Sequence, residues 1–201
     1  TELEPDLATA YLNKAVALRS LGAGREALGL YDRCIALYER LVAAGRTELE
    51  PDLASAYLNK GVALQSLGQG REALGVYDRC IEIRERLVAA GRTELEPELA
   101  TAYLNKAVAL RSLGQGREAL GLYDRCIAIR ERLVAAGRTE LCGDLAWVQV
   151  YRAQLLLDTP QRKQAIHEAR GAMQVLREEI ARTGRGDLQG VLQWAEKTFA
   201  G

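Results

Sequence analysis

The 201-residue chain is poor in the side chains that most chemistry needs. It has one histidine and four cysteines, with no C-x-x-C or H-x-x-x-H spacing anywhere, so neighbouring residues offer no metal-ligand cluster. No G-x-x-x-x-G-K-[ST] loop occurs. The nearest approach, Gly22-Ala23-Gly24-Arg25, lies between helical patterns and recurs at Gly68 and Gly114, which marks a turn and not a phosphate cradle. Net charge is also missing: 27 basic residues balance 27 acidic ones. That balance excludes the electrostatic footprint of a general nucleic-acid or anionic-membrane binder. No run approaches the roughly 18 uncharged apolar residues of a membrane span. Strict polar/apolar alternation is absent, so strands are not expected. The first residue is Thr1, with neither Met nor a signal-like apolar stretch before the repeats, which suggests a processed chain or a piece of a longer one. What is present is a 48% apolar, charge-balanced chain, long enough to bury a sizeable core, as expected of a folded, soluble protein.

Shifting the chain by 46 residues against itself gives near-identity. Units 1–46, 47–92 and 93–138 all open on T-E-L-E-P-[DE]-L-A and close on L-V-A-A-G-R. Units one and three differ only at Asp6/Glu98, Ala23/Gln115, Leu37/Ile129 and Tyr38/Arg130. A divergent fourth unit aligns without gaps over 139–184, and a tail follows. Such a period signals a solenoid whose units stack because none can bury its apolar face alone. We read residues 1–201 as one repeat domain.

Each unit contains two helical patterns. Leu7, Tyr11, Ala15 and Leu18 form one stripe of a 3.6-residue period, ended by Leu21-Gly22. Ala27, Leu28, Tyr31, Cys34, Ile35, Tyr38, Leu41 and Val42 keep the rhythm for about 16 residues, and Gly45 is a natural stop. A helix of roughly 30 Å follows for the second segment. The short link at Gly22 makes the pair an antiparallel hairpin. Thr47-x-x-Glu50 matches a capping box, whereas Pro51 argues for Glu50 as the cap; both remain open. In the tail, Leu188, Val191, Leu192, Ala195 and Phe199 predict a capping helix over about 186–200.

These positions resemble a tetratricopeptide repeat. Tyr11 takes the first aromatic place, Ala15 (Gly61 in unit two) the small place and Leu18 the Tyr place. Gly22, Ala27, Tyr31 and Cys34 then follow at the family's spacing. Lys14, Lys60 and Lys106 replace the family's Leu and are expected to snorkel. The usual terminal Pro is absent, and 46 residues exceed the family's 34, as in longer-repeat relatives in bacterial multidomain signalling proteins. The resemblance implies an all-α solenoid, a right-handed superhelix with first helices lining a concave groove.

By the same resemblance, Thr9, Leu12, Asn13, Val16, Arg19, Ser20 and their copies face that groove. Three ladders result: Asn13/Asn59/Asn105, Thr9/Ser55/Thr101 and Arg19/Gln65/Arg111. An Asn amide both donates to and accepts from a peptide backbone, and Arg19 or Arg111 could hold a carboxylate in a bidentate pair. In unit four, Trp147 and Tyr151 replace the Thr and Asn, either as a partner's anchor or as rings packed under the tail. Cys34, Cys80 and Cys126 recur at roughly 8–10 Å, too far for disulfides, and therefore read as buried free thiols of a reducing compartment. Cys142 lies alone in a loop, and His167 reads as exposed.

Near-identical repetition offers no unique catalytic constellation, so we expect no enzyme, no cofactor and no metal. We expect a cytoplasmic scaffold for a protein or peptide partner. Two alternatives stay open. One is a sensor or oligomerisation arm at the C-terminus of a larger NTPase- or kinase-type signalling protein. The other is a self-associating structural array stacking through its N-terminal repeat, of natural duplication or engineered origin.

Overall fold

In a computed structural model, which describes residues 3–199, the described residues form α-helices and turns with no strand. They make two compact units, one ending at Gln115 and one beginning at Gly116. The first holds α1 (Glu4–Ser20), α2 (Gly24–Ala43), α3 (Glu50–Ser66), α4 (Gly70–Ala89) and α5 (Glu96–Ser112), each packed on the next. The second holds α6 (Gly116–Ala135), α7 (Cys142–Leu155), α8 (Arg162–Thr183) and α9 (Gly186–Phe199), again packed in sequence, with α9 also reaching α7. The chain is an all-α array of helical hairpins. Among the described residues, no helix is long and apolar enough to cross a membrane.

The helix ends are set by glycines in the left-handed region. Gly22 has φ 81° and Gly45 φ 94°. After α2 the Arg46 amide donates to Leu41 O at 3.0 Å and the Gly45 amide to Val42 O at 2.9 Å. This paired closure of the last turn needs a positive φ that a Cβ would disfavour. The helix starts differ from both sequence readings. Residues Thr47–Leu49 form a 3-10 turn, Leu49 occupies the cap position without a side-chain bond, and α3 begins at Glu50 with Pro51 second. Thr47 therefore makes no capping box and Glu50 is no cap. Glu50 is instead buried and accepts a bond from Arg86 Nη1 at 2.8 Å, tying the start of α3 to the end of α4. Glu4 and Arg40 make the same tie in the first hairpin at 3.0 Å.

In the first two hairpins the core is built on one ring each. Tyr31 is fully buried among Ala15, Ala27 and Ala63, and Tyr77 clusters with Leu64, Ala73 and Ala109. Small residues on both flanking helices leave a slot the width of a ring, and burying each is worth on the order of 2 kcal/mol. In the second hairpin the slot is tighter. A Cβ on Gly61 would lie 2.4 Å from Tyr77 Cε1, so glycine there lets the ring sit closer than alanine would.

The hairpins are also joined by charge. Lys60 Nζ on α3 pairs with Asp32 on α2 at 2.6 Å, and Lys106 on α5 pairs with Asp78 on α4. In the second unit Arg152 on α7 pairs with Asp124 on α6. Lys60 and Lys106 at the family's Leu place thus do not simply snorkel to water; each finds the carboxylate of the preceding hairpin within reach, whereas Lys14 is exposed. In α9 the apolar stripe seats as its periodicity implied, with Leu188, Ala195 and Phe199 buried and Val191 and Leu192 partly so.

Two contrasts test this account by urea denaturation. Gly45→Ala should destabilise by about 1 kcal/mol because of its positive φ, whereas Gly75→Ala, mid-helix with open space around the new Cβ, should stabilise by roughly 0.5–1 kcal/mol. Arg86→Ala should cost about 1–3 kcal/mol, since it strands a nearly buried carboxylate. Arg40→Ala should cost less than about 1 kcal/mol, because the Glu4 side chain keeps 25% exposure.

Candidate partner-binding surface

The polar positions of the first helices divide into two kinds. The hydroxyl ladder is engaged internally. Thr9, Ser55 and Thr101 each donate to the carbonyl four residues back, on Pro5, Pro51 and Pro97, at 2.9–3.0 Å. Two of them also meet the second helix of their own hairpin: Thr9 Oγ1 lies 2.9 Å from the Tyr38 hydroxyl, and Arg84 Nη2 donates to Ser55 Oγ at 3.1 Å. A hydroxyl can both donate and accept, which explains why Thr and Ser serve opposite either Tyr38 or Arg84.

The amide ladder is more open. Asn13 is exposed, and Asn59 and Asn105 are half-buried. Asn59 Nδ2 donates to Ser55 O at 2.9 Å, leaving its carbonyl oxygen as an acceptor. The third ladder leans on the core. Gln65 Oε1 accepts from the Tyr77 hydroxyl at 3.0 Å, and the Arg19 guanidinium lies against Tyr31, opposing the upward push that burial gives that phenol. Arg111 is half-buried.

Of the aromatic pair of the fourth repeat, Tyr151 packs against the terminal helix. Trp147 and Tyr151 meet edge-on with centroids 5.8 Å apart, and Tyr151 stacks on Trp194 of α9 at 5.0 Å and 17°. Both rings remain half-buried, with part of their surface still at the exterior.

A family model for the tetratricopeptide repeat matches residues 7–45, 53–90 and 99–137, more than half of the chain. The chain belongs to the tetratricopeptide repeat family. Its fold is similar to that of a Podosopora anserina kinesin light chain with nearly identical TPR-like repeats: 19% identity, TM-score 0.63, 98% of this chain and 89% of that one. It is also similar to BtubC (BKLC) from P. vanneervenii: 19% identity, TM-score 0.64, 90% of this chain and 66% of that one. At these identities the likeness concerns the fold alone. No curated protein matches the chain.

Within this tetratricopeptide repeat array the recurrent cysteines occupy the small place beside the buried tyrosine. Cys34, Cys80 and Cys126 are fully buried and unbridged. Burial pushes the Cys34 thiol up to about 12, and those of Cys80 and Cys126 up to about 11. Cys142 is not in a loop: it is the first residue of α7, half-buried. His167 is exposed on α8.

Sequence reasoning missed the carboxylates that hold the seams and the groups that take up the Thr9 and Ser55 hydroxyls. The signal was present. Asp32, Asp78 and Asp124 recur opposite Lys60, Lys106 and Arg152 at a constant separation along the chain.

Two outcomes follow for the thiols. A disulfide reagent at neutral pH should label Cys142 first and reach Cys34, Cys80 and Cys126 only on unfolding. Unfolded thiols ionise near their ordinary value of 9.0, whereas the buried ones do so only at about 11 to 12. The stability they contribute is therefore whole below about pH 9 and is lost as pH rises above it. The urea midpoint should decline on that side, and the decline should begin less steeply in a Cys34→Ala, Cys80→Ala, Cys126→Ala variant.

Proposed function

We propose that this tetratricopeptide repeat array is a non-catalytic scaffold that holds an extended peptide or partner segment along the first helices of its repeats. Asn13, Asn59 and Asn105 are its gripping residues. The observation that carries this reading is the difference between the ladders. The hydroxyls of Thr9, Ser55 and Thr101 are spent inside the hairpins, while Asn13 and Asn105 make no side-chain hydrogen bond among the described residues. An amide repeated at a fixed interval on neighbouring first helices can serve successive peptide groups of an extended chain without reading its side chains. Family membership supports the scaffold reading.

In this reading Arg19, Gln65 and Arg111 flank the segment and Thr9, Ser55 and Thr101 stay engaged inside their own hairpins; Trp147 and Tyr151, in the second unit, are a separate partner contact. The buried, unbridged thiols suit a reducing, cytoplasmic setting. No nucleic acid, membrane or cofactor is assigned a role.

The test uses peptides selected on the wild-type chain by phage display. Asn59→Ala with Asn105→Ala should weaken a selected peptide by about 1–2 kcal/mol, measured by calorimetry. Unchanged affinity in a folded double variant would sink the proposal.

A second reading concerns α1. Leu7 is 44% exposed and Leu21 82%, whereas Leu53 and Leu99, the copies of Leu7, are 6% and 4% exposed. This face is suited to a second copy of the chain. Sedimentation should show concentration-dependent association that Leu7→Glu abolishes; a monomer at every concentration would rule it out.

A further inference from the structure

The seam between α6, α7 and α8 differs from its counterpart in the first unit in one respect that points to a ligand. Between α2, α3 and α4, Glu39 accepts a hydrogen bond from the Tyr57 hydroxyl. The guanidinium of Arg79 lies against the same hydroxyl, with Glu39 in its field, and donates to Glu82 at 2.8 Å. Moving by two periods gives the corresponding residues of the second unit. Glu131 stands for Glu39, Gln149 for Tyr57 and Gly171 for Arg79. The carboxylate is kept, while its phenol donor has become an amide and the guanidinium has gone.

What the missing side chains leave is a cleft of about 490 Å³. Its lining includes Glu131 of α6, Gln149 and Arg152 of α7, and Glu168 and Gly171 of α8. A Cβ on Gly171 would meet nothing within 4 Å. Asp124, also in the lining, and Glu168 share the one local cation, Arg152. Glu168 itself replaces Leu30, Val76 and Leu122 of the other repeats, so this repeat has added a carboxylate where it removed a guanidinium. Glu131 makes no ion pair or hydrogen bond among the described residues, and neither does the Gln149 side chain.

We propose that this cleft binds an arginine side chain of a partner protein, its guanidinium taking the place against Glu131 and Gln149 that Arg79 takes against Glu39 and Tyr57. The physical case is complementarity in both charge and shape. Three carboxylates face one cation, which leaves the site anionic, and a carboxylate beside an amide oxygen offers two acceptors to the planar fork of donors. A chloride or a carboxylate ligand would meet repulsion there. The site lies within α6–α8 and does not depend on the Asn13, Asn59 and Asn105 ladder, so either proposal can fail without the other.

The experiment is a heteronuclear NMR titration with N-acetyl-arginine methylamide, repeated with the citrulline analogue, which keeps the shape and lacks the charge. Saturable shifts are expected at the Gln149 side-chain amide and at the backbone amides of Glu131 and Gly171 with the arginine probe only. Glu131→Gln, an exposed position that leaves folding intact, should weaken the probe about fivefold. Gly171→Arg restores the internal guanidinium and should abolish the shifts while raising the melting temperature. Three outcomes would overturn the proposal: no localised shift, equal shifts with citrulline, or shifts that persist in a folded Gly171→Arg protein.

Discussion

The first three repeats depend on a buried tyrosine ring on the second helix of each. Tyr31, Tyr77 and Tyr123 are fully buried, and a ring of fixed thickness dictates what can stand around it. Around Tyr31 that is Ala15, Ala27 and Ala63, contributed by three different helices. The first helix, the second helix and the first helix of the next repeat are thereby brought to one separation. Larger residues would overpack the slot, and smaller ones would leave a void. Gly61 shows the tolerance directly, because the ring next to it occupies space a methyl group would need. The buried thiols continue the same requirement along the second helix, where Cys34, Cys80 and Cys126 act as small apolar side chains with burial holding them protonated.

Once the rings set the spacing, the polar groups at the hairpin edges have little choice. Thr9 and Ser55 face their own second helix and meet whatever stands there, a phenol at Tyr38 or a guanidinium at Arg84. Arg84 and Arg130 are buried despite their charge; Arg84 Nη2 donates to Ser55 Oγ while its Nη1 has no partner, and Arg130 donates to Asp144 O at 2.7 Å. Among the described residues Asn13 and Asn105 make no such contact.

Charge works on the scale of the repeat. The first three repeats each hold six or seven acids and six or seven bases, and many of these are matched across a seam or a hairpin end: Asp32 with Lys60, Asp78 with Lys106, Glu50 with Arg86. The neutrality of the whole chain therefore has a structural cause. Part of it is local pairing across the seams, and at the cleft around Glu131 the counterpart of Arg79 has been removed.

The sequence alone determined the helical class, the 46-residue period, the hairpin pairing, the glycine stops and the buried tyrosine and cysteine stripe. Each rests on neighbours within a few turns, and a period repeated three times leaves little ambiguity. Only the tertiary structure decided three things. Glu50 is a buried ion-pair partner and not a cap, because its Arg86 lies a whole helix away and its side chain reaches α4 before any backbone amide. Thr9 and Ser55 are occupied while Asn13 and Asn105 stay open, because that depends on which way the second helix turns its Tyr or Arg. Tyr151 meets Trp194, because the tail folds back on α7 and α8. Local pattern specifies which face of a helix is apolar; which polar side chain stands opposite another is set by packing between segments tens of residues apart, and periodicity along one helix carries no record of it.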